Sequence, residues 1–219
     1  MMNTKHIKRV LIICPLSIMQ SAWQNDIFKG AMHRKVGIAY GSKEKRQQVI
    51  NSDAEFVIIN YDGVKVVRDA LANGGFDLII ADEANAVKSV TTDRWRALAG
   101  LITAHTRLWM MTGTPAAQSP VDAYGLAKLV NPNGVPKFLT AWQDKVMHKV
   151  SKFKWVPKPS AQQEGYNSLQ PAIRYTKEES PDLPPVLTET RNVPLTPQQI
   201  KYYRMLKDRM LVQTAGETI

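Results

Sequence analysis

With 219 residues and a formal net charge of +10, the chain is long enough for one large domain with an ample core. Its single cysteine, Cys14, excludes an internal disulfide framework and suits a reducing compartment. The excess of Lys and Arg favours a polyanionic partner, because neutralising phosphates releases counterions, although a basic surface with no partner has the same composition.

Lys5, Lys8 and Arg9 precede an apolar stretch from Val10 to Met19, the order found in a signal peptide. Pro15 interrupts that stretch, no small-x-small cleavage site follows, and no later segment approaches the roughly 20 apolar residues of a membrane span. A cytoplasmic protein without a membrane partner is the expectation. Cys14 ends an apolar run, which predicts inert burial.

Short apolar runs predict strands at 9–14, 36–40, 56–60, 77–81 and 107–111. Helical patterns fall between them, at 17–28, 43–50, 63–72 and 92–103. That alternation predicts an α/β fold with a mostly parallel sheet flanked by helices. After about residue 115 the strand signals stop, and helices are predicted at 120–129 and 137–149. Residues 151–194 carry much of the proline and little periodicity, and read as an extended connector. A C-terminal helix follows, with Thr196 as its cap, Pro197 at its first position and Gln199 reaching back to complete a capping box. Ile200, Tyr203, Leu206, Met210 and Leu211 give it one apolar face, which either docks on the preceding domain or opens a second one.

The run Phe76-Asp77-Leu78-Ile79-Ile80-Ala81 stops at two carboxylates, Asp82 and Glu83. Ligands of parallel sheets sit beyond the strands' carboxyl ends, where this pair stands. Such a pair is chemically suited to hold Mg²⁺ through water with Asp82 and to orient an attacking water with Glu83. An ordinary strand ending in a polar turn has the same local pattern. About thirty residues on, Leu108-Trp109-Met110-Met111 ends in Thr112-Gly113-Thr114-Pro115. Hydroxyls there can bond neighbouring carboxylates, and Gly113 is expected to let the backbone turn tightly.

Leu11-Ile12-Ile13-Cys14-Pro15-Leu16-Ser17 with Trp23, Val57-Ile58-Ile59-Asn60-Tyr61, Asp82-Glu83-Ala84-Asn85 with Lys88, and Thr112-Gly113-Thr114-Pro115 occur in that order. Together they resemble the first RecA-like domain of a Swi/Snf-type superfamily two helicase-like ATPase. Arg174-Tyr175-Thr176-Lys177, Leu183-Pro184-Pro185 and the run from Val193 to Gln199 resemble that family's passage to its second motor domain. The resemblance implies a RecA-like P-loop NTPase-type domain at 1–150, incomplete at its N-terminus and with a helical protrusion from about 120. It further implies a basic connector at 151–195 and the first helix of a second motor domain at 196–219.

It also implies roles. Pro15, Leu16 and Ser17 match motif Ia, and Asn60 with Tyr61 match motif Ib, both lying along the DNA backbone in the family. Asp82 and Glu83 match motif II, with Mg²⁺ held through water by Asp82. Thr112, Gly113 and Thr114 match motif III, which couples the nucleotide site to the DNA track. The implied cofactors are Mg²⁺ and ATP, the latter as substrate of a complete motor.

Three departures qualify the resemblance. Asn85 stands where the family's DEAH-type motif has histidine, so hydrogen bonding is retained without a titratable charge. No Gly-x-x-x-x-Gly-Lys-Ser/Thr phosphate loop occurs in the 219 residues. The second motor domain is not among them either. The chain therefore reads as an internal part of an ATP-dependent motor that couples ATP hydrolysis to movement on duplex DNA, inactive by itself. The alternative is a degenerate RecA-like module that binds nucleic acid or a protein without turnover. Expected partners are duplex DNA and a polypeptide carrying the Walker A strand or the second motor domain. In the family the Walker A strand lies beside the motif III strand, so 107–111 is expected as an exposed apolar edge. Finally, Lys149, Lys152 and Lys154, interleaved with Phe153 and Trp155, suit phosphate contact with aromatic stacking, or form a solvated helical face.

Overall fold

The computed structural model describes residues 7–175, 179, 188–209, 213–214 and 217–218. They fall in two units, 1–172 and 173–219. In the first unit, strands β1 (Val10–Cys14), β2 (Val36–Ile38), β3 (Phe56–Asn60), β4 (Leu78–Asp82) and β5 (Arg107–Met111) form one sheet of order β2-β3-β1-β4-β5. Every neighbouring pair is parallel, as the alternation of strand and helix signals predicts.

Successive residues on a strand face opposite sides, and the core divides accordingly. Leu11, Ile13, Val57, Ile59, Ile79 and Ala81 pack with Ile50, Val64, Leu71 and Leu98. These last four come from helices α2 (Lys43–Ile50), α3 (Tyr61–Val66), α4 (Arg68–Ala72) and α5 (Asp93–Ala99). On the other side, Val10, Ile12, Cys14, Ile58, Leu78 and Ile80 pack with Ile7, Met19, Trp23 and Ile27.

At the amino ends of the strands Arg9 ties three segments together. Its guanidinium donates to the carbonyls of Ala54 at 2.9 Å, Gly74 at 2.6 Å and Ile50 at 2.5 Å, and lies over the Phe76 ring. Asp77 accepts from the backbone amides of Lys8 and Arg9.

Two predicted helices are divided. The segment predicted as a helix at 17–28 is a 3₁₀ turn (Leu16–Ile18), then a π turn (Met19–Gln24), then helix α1 (Asn25–Ala31). The segment 63–72 starts earlier, at Tyr61, and breaks at Val67 between α3 and α4.

The larger difference lies beyond residue 146. Helices α6 (Ala123–Val130) and α7 (Leu139–Val146) are followed by an antiparallel hairpin of β6 (Met147–Lys149) and β7 (Trp155–Pro157), then by helix α8 (Ala161–Ser168). Trp142, Val146, Met147 and Ala161 form a third core with Ala123, Tyr124 and Ala127, and Trp155 packs against it. The predicted helix therefore stops at Val146, the predicted connector contains a strand and a helix, and the first unit runs to Ala172. Three-residue strands and the weakly patterned AQQEGYNS helix have no clear period of their own; burial of Trp142 and Ala161 gives them a place.

The second unit contains helix α9 (Pro197–Arg209). The Thr196 amide donates to Gln199 Oε1 at 2.9 Å, and the Gln199 amide donates to Thr196 Oγ1 at 3.3 Å, so the predicted capping box forms. Ile200, Tyr203 and Leu206 are exposed. Thr176, Lys177, Leu183, Pro184, Pro185, Met210 and Leu211 lie outside the described residues.

Candidate nucleotide-responsive edge

Because the sheet is wholly parallel, four of the singled-out motifs meet at its carboxyl edge. β1 runs into Pro15, Leu16 and Ser17; β3 ends at Asn60 and passes directly into Tyr61; β4 ends at Asp82; β5 leads into Thr112, Gly113 and Thr114.

Asp82 is the point where these segments join. Its Oδ2 accepts from the indole Nε1 of Trp23 at 2.9 Å, and its Oδ1 accepts from the Glu83 amide at 2.9 Å. The Tyr61 hydroxyl donates to the Asp82 carbonyl at 2.7 Å. Segments following β1 and β3 thus both hold the residue that ends β4. Trp23 reaches it from the π turn, a widened turn often found at functional sites.

Glu83 has φ 51° and ψ 52°, the left-handed region, which costs a non-glycine residue roughly 1–2 kcal/mol. The chain turns there and leaves Glu83 exposed beyond the buried strand. Strain of this kind concentrates at functional positions. Asn85 sits half-buried in the following 3₁₀ turn (Ala84–Val87). Lys88, just beyond, pairs with Asp122 at 3.0 Å and Gln118 at 2.9 Å, which fastens this segment to the start of α6.

Burial and then the negative charge of Asp82 push the Cys14 thiol up to about 12, and the same two causes push the Tyr61 phenol up. Cys14 is a protonated core residue, as the sequence predicts.

The remaining candidates behave differently from one another. Leu16 and Ser17 are exposed and available to a ligand. Tyr61 is buried with its hydroxyl engaged by Asp82, and Asn60 Oδ1 accepts from Arg46 Nη1 at 3.0 Å. Both side chains are thus already engaged within the fold. Arg46 has no signal in the sequence beyond its charge, yet it is buried and also donates to the Ala39 and Gly41 carbonyls at 2.7 and 3.0 Å. Gly63 leaves room for it: a Cβ there would lie 2.3 Å from Arg46 Nη1.

Thr112 Oγ1 accepts from the Thr114 amide at 3.1 Å, so the motif III hydroxyl closes its own turn and does not bond Asp82 or Glu83. Nor does that turn need a glycine: Gly113 is outside the left-handed region and a Cβ there would meet nothing within 4 Å. Lys149, Lys152 and Lys154 stand exposed on the β6–β7 hairpin, not on a helix, and share no hydrogen bond with the sheet-edge residues.

Asp82 fits a water-mediated Mg²⁺ position. Each of its oxygens already accepts one N–H and has a lone pair left for a metal-bound water. Among the described residues no group of three or more His, Cys, Asp and Glu could hold a metal, so an ion here takes further ligands from phosphates and water. No described helix is long and apolar enough to cross a membrane.

A five-stranded parallel sheet in which β4, beside the central strand, ends in an Asp-Glu pair tied to the segments that follow β1 and β3 defines a RecA-like domain of the helicase-like ATPase class. The chain belongs to the SNF2-related domain family, which it matches over residues 1–219. The fold is similar to that of the Sulfolobus solfataricus SWI2/SNF2 ATPase core in complex with dsDNA, with a TM-score of 0.66, 22% identity, and 84% of this chain and 37% of that one covered. The chain is 26% identical over 136 residues to the DNA repair and recombination protein RAD54-like of Gallus gallus, covering 57% of this chain and 18% of that protein. It is 32% identical over 135 residues to helicase SWR1 of Gibberella zeae, covering 58% of this chain and 8% of that protein. It thus spans less than a fifth of the length of either relative.

Proposed function

We propose that the chain is part of an ATP-dependent motor that moves on duplex DNA, and that Asp82 and Glu83 form the part of its ATP site carried here. The observation that carries this reading is the joining of Trp23 and Tyr61 on Asp82. The segment after β1 is fixed to the Asp82 carboxylate through Trp23 and the segment after β3 to the Asp82 carbonyl through Tyr61, so a displacement of Asp82 is felt where Leu16 and Ser17 are exposed. The solved relative bound to dsDNA supports the choice of nucleic acid.

In this reading Asp82 would hold Mg²⁺ through water, and Glu83, whose side chain shares no hydrogen bond or ion pair among the described residues, positions and deprotonates the attacking water. Mg²⁺, when bound with ATP, neutralises charge developing on the phosphates. Thr112 and Thr114 lie one strand over and move with β5. Leu16 and Ser17 offer the surface along which a DNA backbone passes.

The absence of a phosphate loop from these 219 residues favours the second reading for the chain taken by itself, a module that binds without turnover. Such a loop supplies several amide bonds and a lysine to phosphate, each worth roughly 1.5–3 kcal/mol. Glu83 contributes about 10²- to 10⁴-fold in rate only if substrate is held.

Steady-state ATPase measurements with Mg²⁺ and duplex DNA separate the two. The purified chain is expected to show no saturable turnover. Supplying a phosphate-loop strand and a second motor domain is expected to produce turnover that Glu83→Gln abolishes. If the completed motor is equally active with Glu83→Gln, the assignment of the site is wrong.

A further inference from the structure

The β6–β7 hairpin carries a feature that its own folding does not use. Residues 147–158 include four lysines and no acidic residue. The turn closes through backbone bonds, Val150 N–H to the Lys154 carbonyl at 2.9 Å and Lys154 N–H to the Ser151 carbonyl at 3.3 Å, with Ser151 Oγ accepting from the Phe153 amide. The Phe153 side chain takes no part in that closure and is 89% exposed at the tip. Lys152 lies 5.5 Å from its ring centroid, and Lys149 lies 5.6 Å from that of Trp155.

The base of the hairpin is firmly set. Met147 is buried, Trp155 packs on the third core, and the Lys158 amide donates to the Val146 carbonyl at 2.9 Å, extending the ladder. No ion pair neutralises Lys149, Lys152 or Lys154 among the described residues, whereas neighbouring Lys145 is paired with Glu164 at 2.7 Å. An apolar ring is thus held out in water between uncompensated cations on an arm whose base packs on the third core.

We infer that this hairpin is a stacking arm for nucleic acid: Lys149, Lys152 and Lys154 hold the phosphates, and Phe153 stacks on an unpaired base beside a duplex. The inference rests on the DNA-bound reading above and adds to it a preferred structure. Stacking needs an open base face, which a fully paired duplex does not offer along its length.

Fluorescence anisotropy of the full 219-residue chain tests it with two labelled probes, a blunt DNA duplex and the same duplex carrying a single-stranded thymine extension. The unaltered chain is expected to bind the extended probe more tightly. Phe153→Leu is expected to weaken that binding about tenfold while leaving the blunt probe nearly unchanged, and Phe153→Trp is expected to preserve it. Replacing the three lysines with Gln is expected to make the negative slope of log K against log salt shallower by about 0.7–0.9 for each phosphate no longer neutralised.

Unchanged binding of the extended probe by Phe153→Leu overturns the stacking role. Equal losses on both probes also overturn it and indicate a wedge into paired DNA. An unchanged salt slope in the triple lysine variant removes the hairpin from the interface while leaving the DNA reading standing. Failure of the unaltered chain to bind either probe removes both.

Discussion

The indole N–H of Trp23 donates to the carboxylate of Asp82 at 2.9 Å across 59 residues of sequence. Trp23→Phe keeps the ring and deletes this donor. A hydrogen bond to a charged group contributes about 1.5–3 kcal/mol. In a double-mutant cycle with Asp82→Ala, followed by urea denaturation, a coupling of about that size is expected. Strictly additive losses would show that the hydrogen bond carries no energy.

Glycines at two motif-adjacent positions should respond in opposite ways. A Cβ at Gly125 would lie 2.1 Å from the Lys88 carbonyl oxygen, a backbone atom, where α6 meets the segment after motif II. Trp95 Nε1 donates to the Gly125 carbonyl at 2.8 Å and holds that approach. Gly125→Ala is expected to lose about 1–3 kcal/mol by forced displacement. Gly113→Ala, in open space, is expected to stay within about 0.5 kcal/mol of the unaltered chain. Thermal unfolding of the two variants decides the matter, and equal melting temperatures would refute the contrast.

Alkaline pH should weaken the fold through its buried acids. The folded state holds the Cys14 proton up to about 12 and raises the Tyr61 phenol as well. Unfolded cysteine and tyrosine lose theirs near about 8.5 and 10. The folded chain therefore binds more protons above pH ~8.5, and stability, complete below that value, falls as pH rises toward Cys14's folded value. Urea midpoints are expected to drop over this window, and less steeply for Cys14→Ala. Slow reaction of native Cys14 with Ellman's reagent is the companion result; rapid reaction would contradict burial of the thiol.

β5 should make the isolated chain prone to association. It pairs with β4 on one side and with no strand on the other among the described residues. Trp109 is 48% exposed and Met111 41% exposed, on the face that carries Ile80. An exposed apolar edge invites pairing with another chain. Sedimentation velocity is expected to show concentration-dependent association that Trp109→Lys reduces. A monodisperse monomer at high concentration would dispose of this expectation.

The sheet was legible because buried parallel strands write themselves as short apolar runs. Val10 to Cys14 and Phe56 to Ile59 are continuous in apolar residues and lie in the strands Val10–Cys14 and Phe56–Asn60. The capping box at Thr196 was equally local, needing only the spacing of two side chains. The hairpin was not legible, since β6 and β7 are three residues each and show too little period to compete with a helical reading of 137–149. Lysines expected on a helix or connector stand instead at the end of β6 and in the turn that leads to β7. Arg46 was invisible for another reason: a buried arginine is identified by the carbonyls around it, and those belong to Ala39 and Gly41 in a different segment.

By itself the sequence determined the five strands of the parallel sheet, that their polar ends carry the Asp-Glu and Thr-Gly-Thr motifs, and, through the order of those motifs, the family. These are properties of short windows, set by apolar run length and side-chain type. Only the tertiary structure decided what Asp82 is bonded to. Its partners Trp23 and Tyr61 come from 59 and 21 residues away, and the strand order β2-β3-β1-β4-β5 seats β1 between β3 and β4. No local pattern encodes that order; it follows from burying both faces of one parallel sheet at once. The same packing engaged Asn60 with Arg46 and Tyr61 with Asp82 and left Phe153 at the tip of a basic arm.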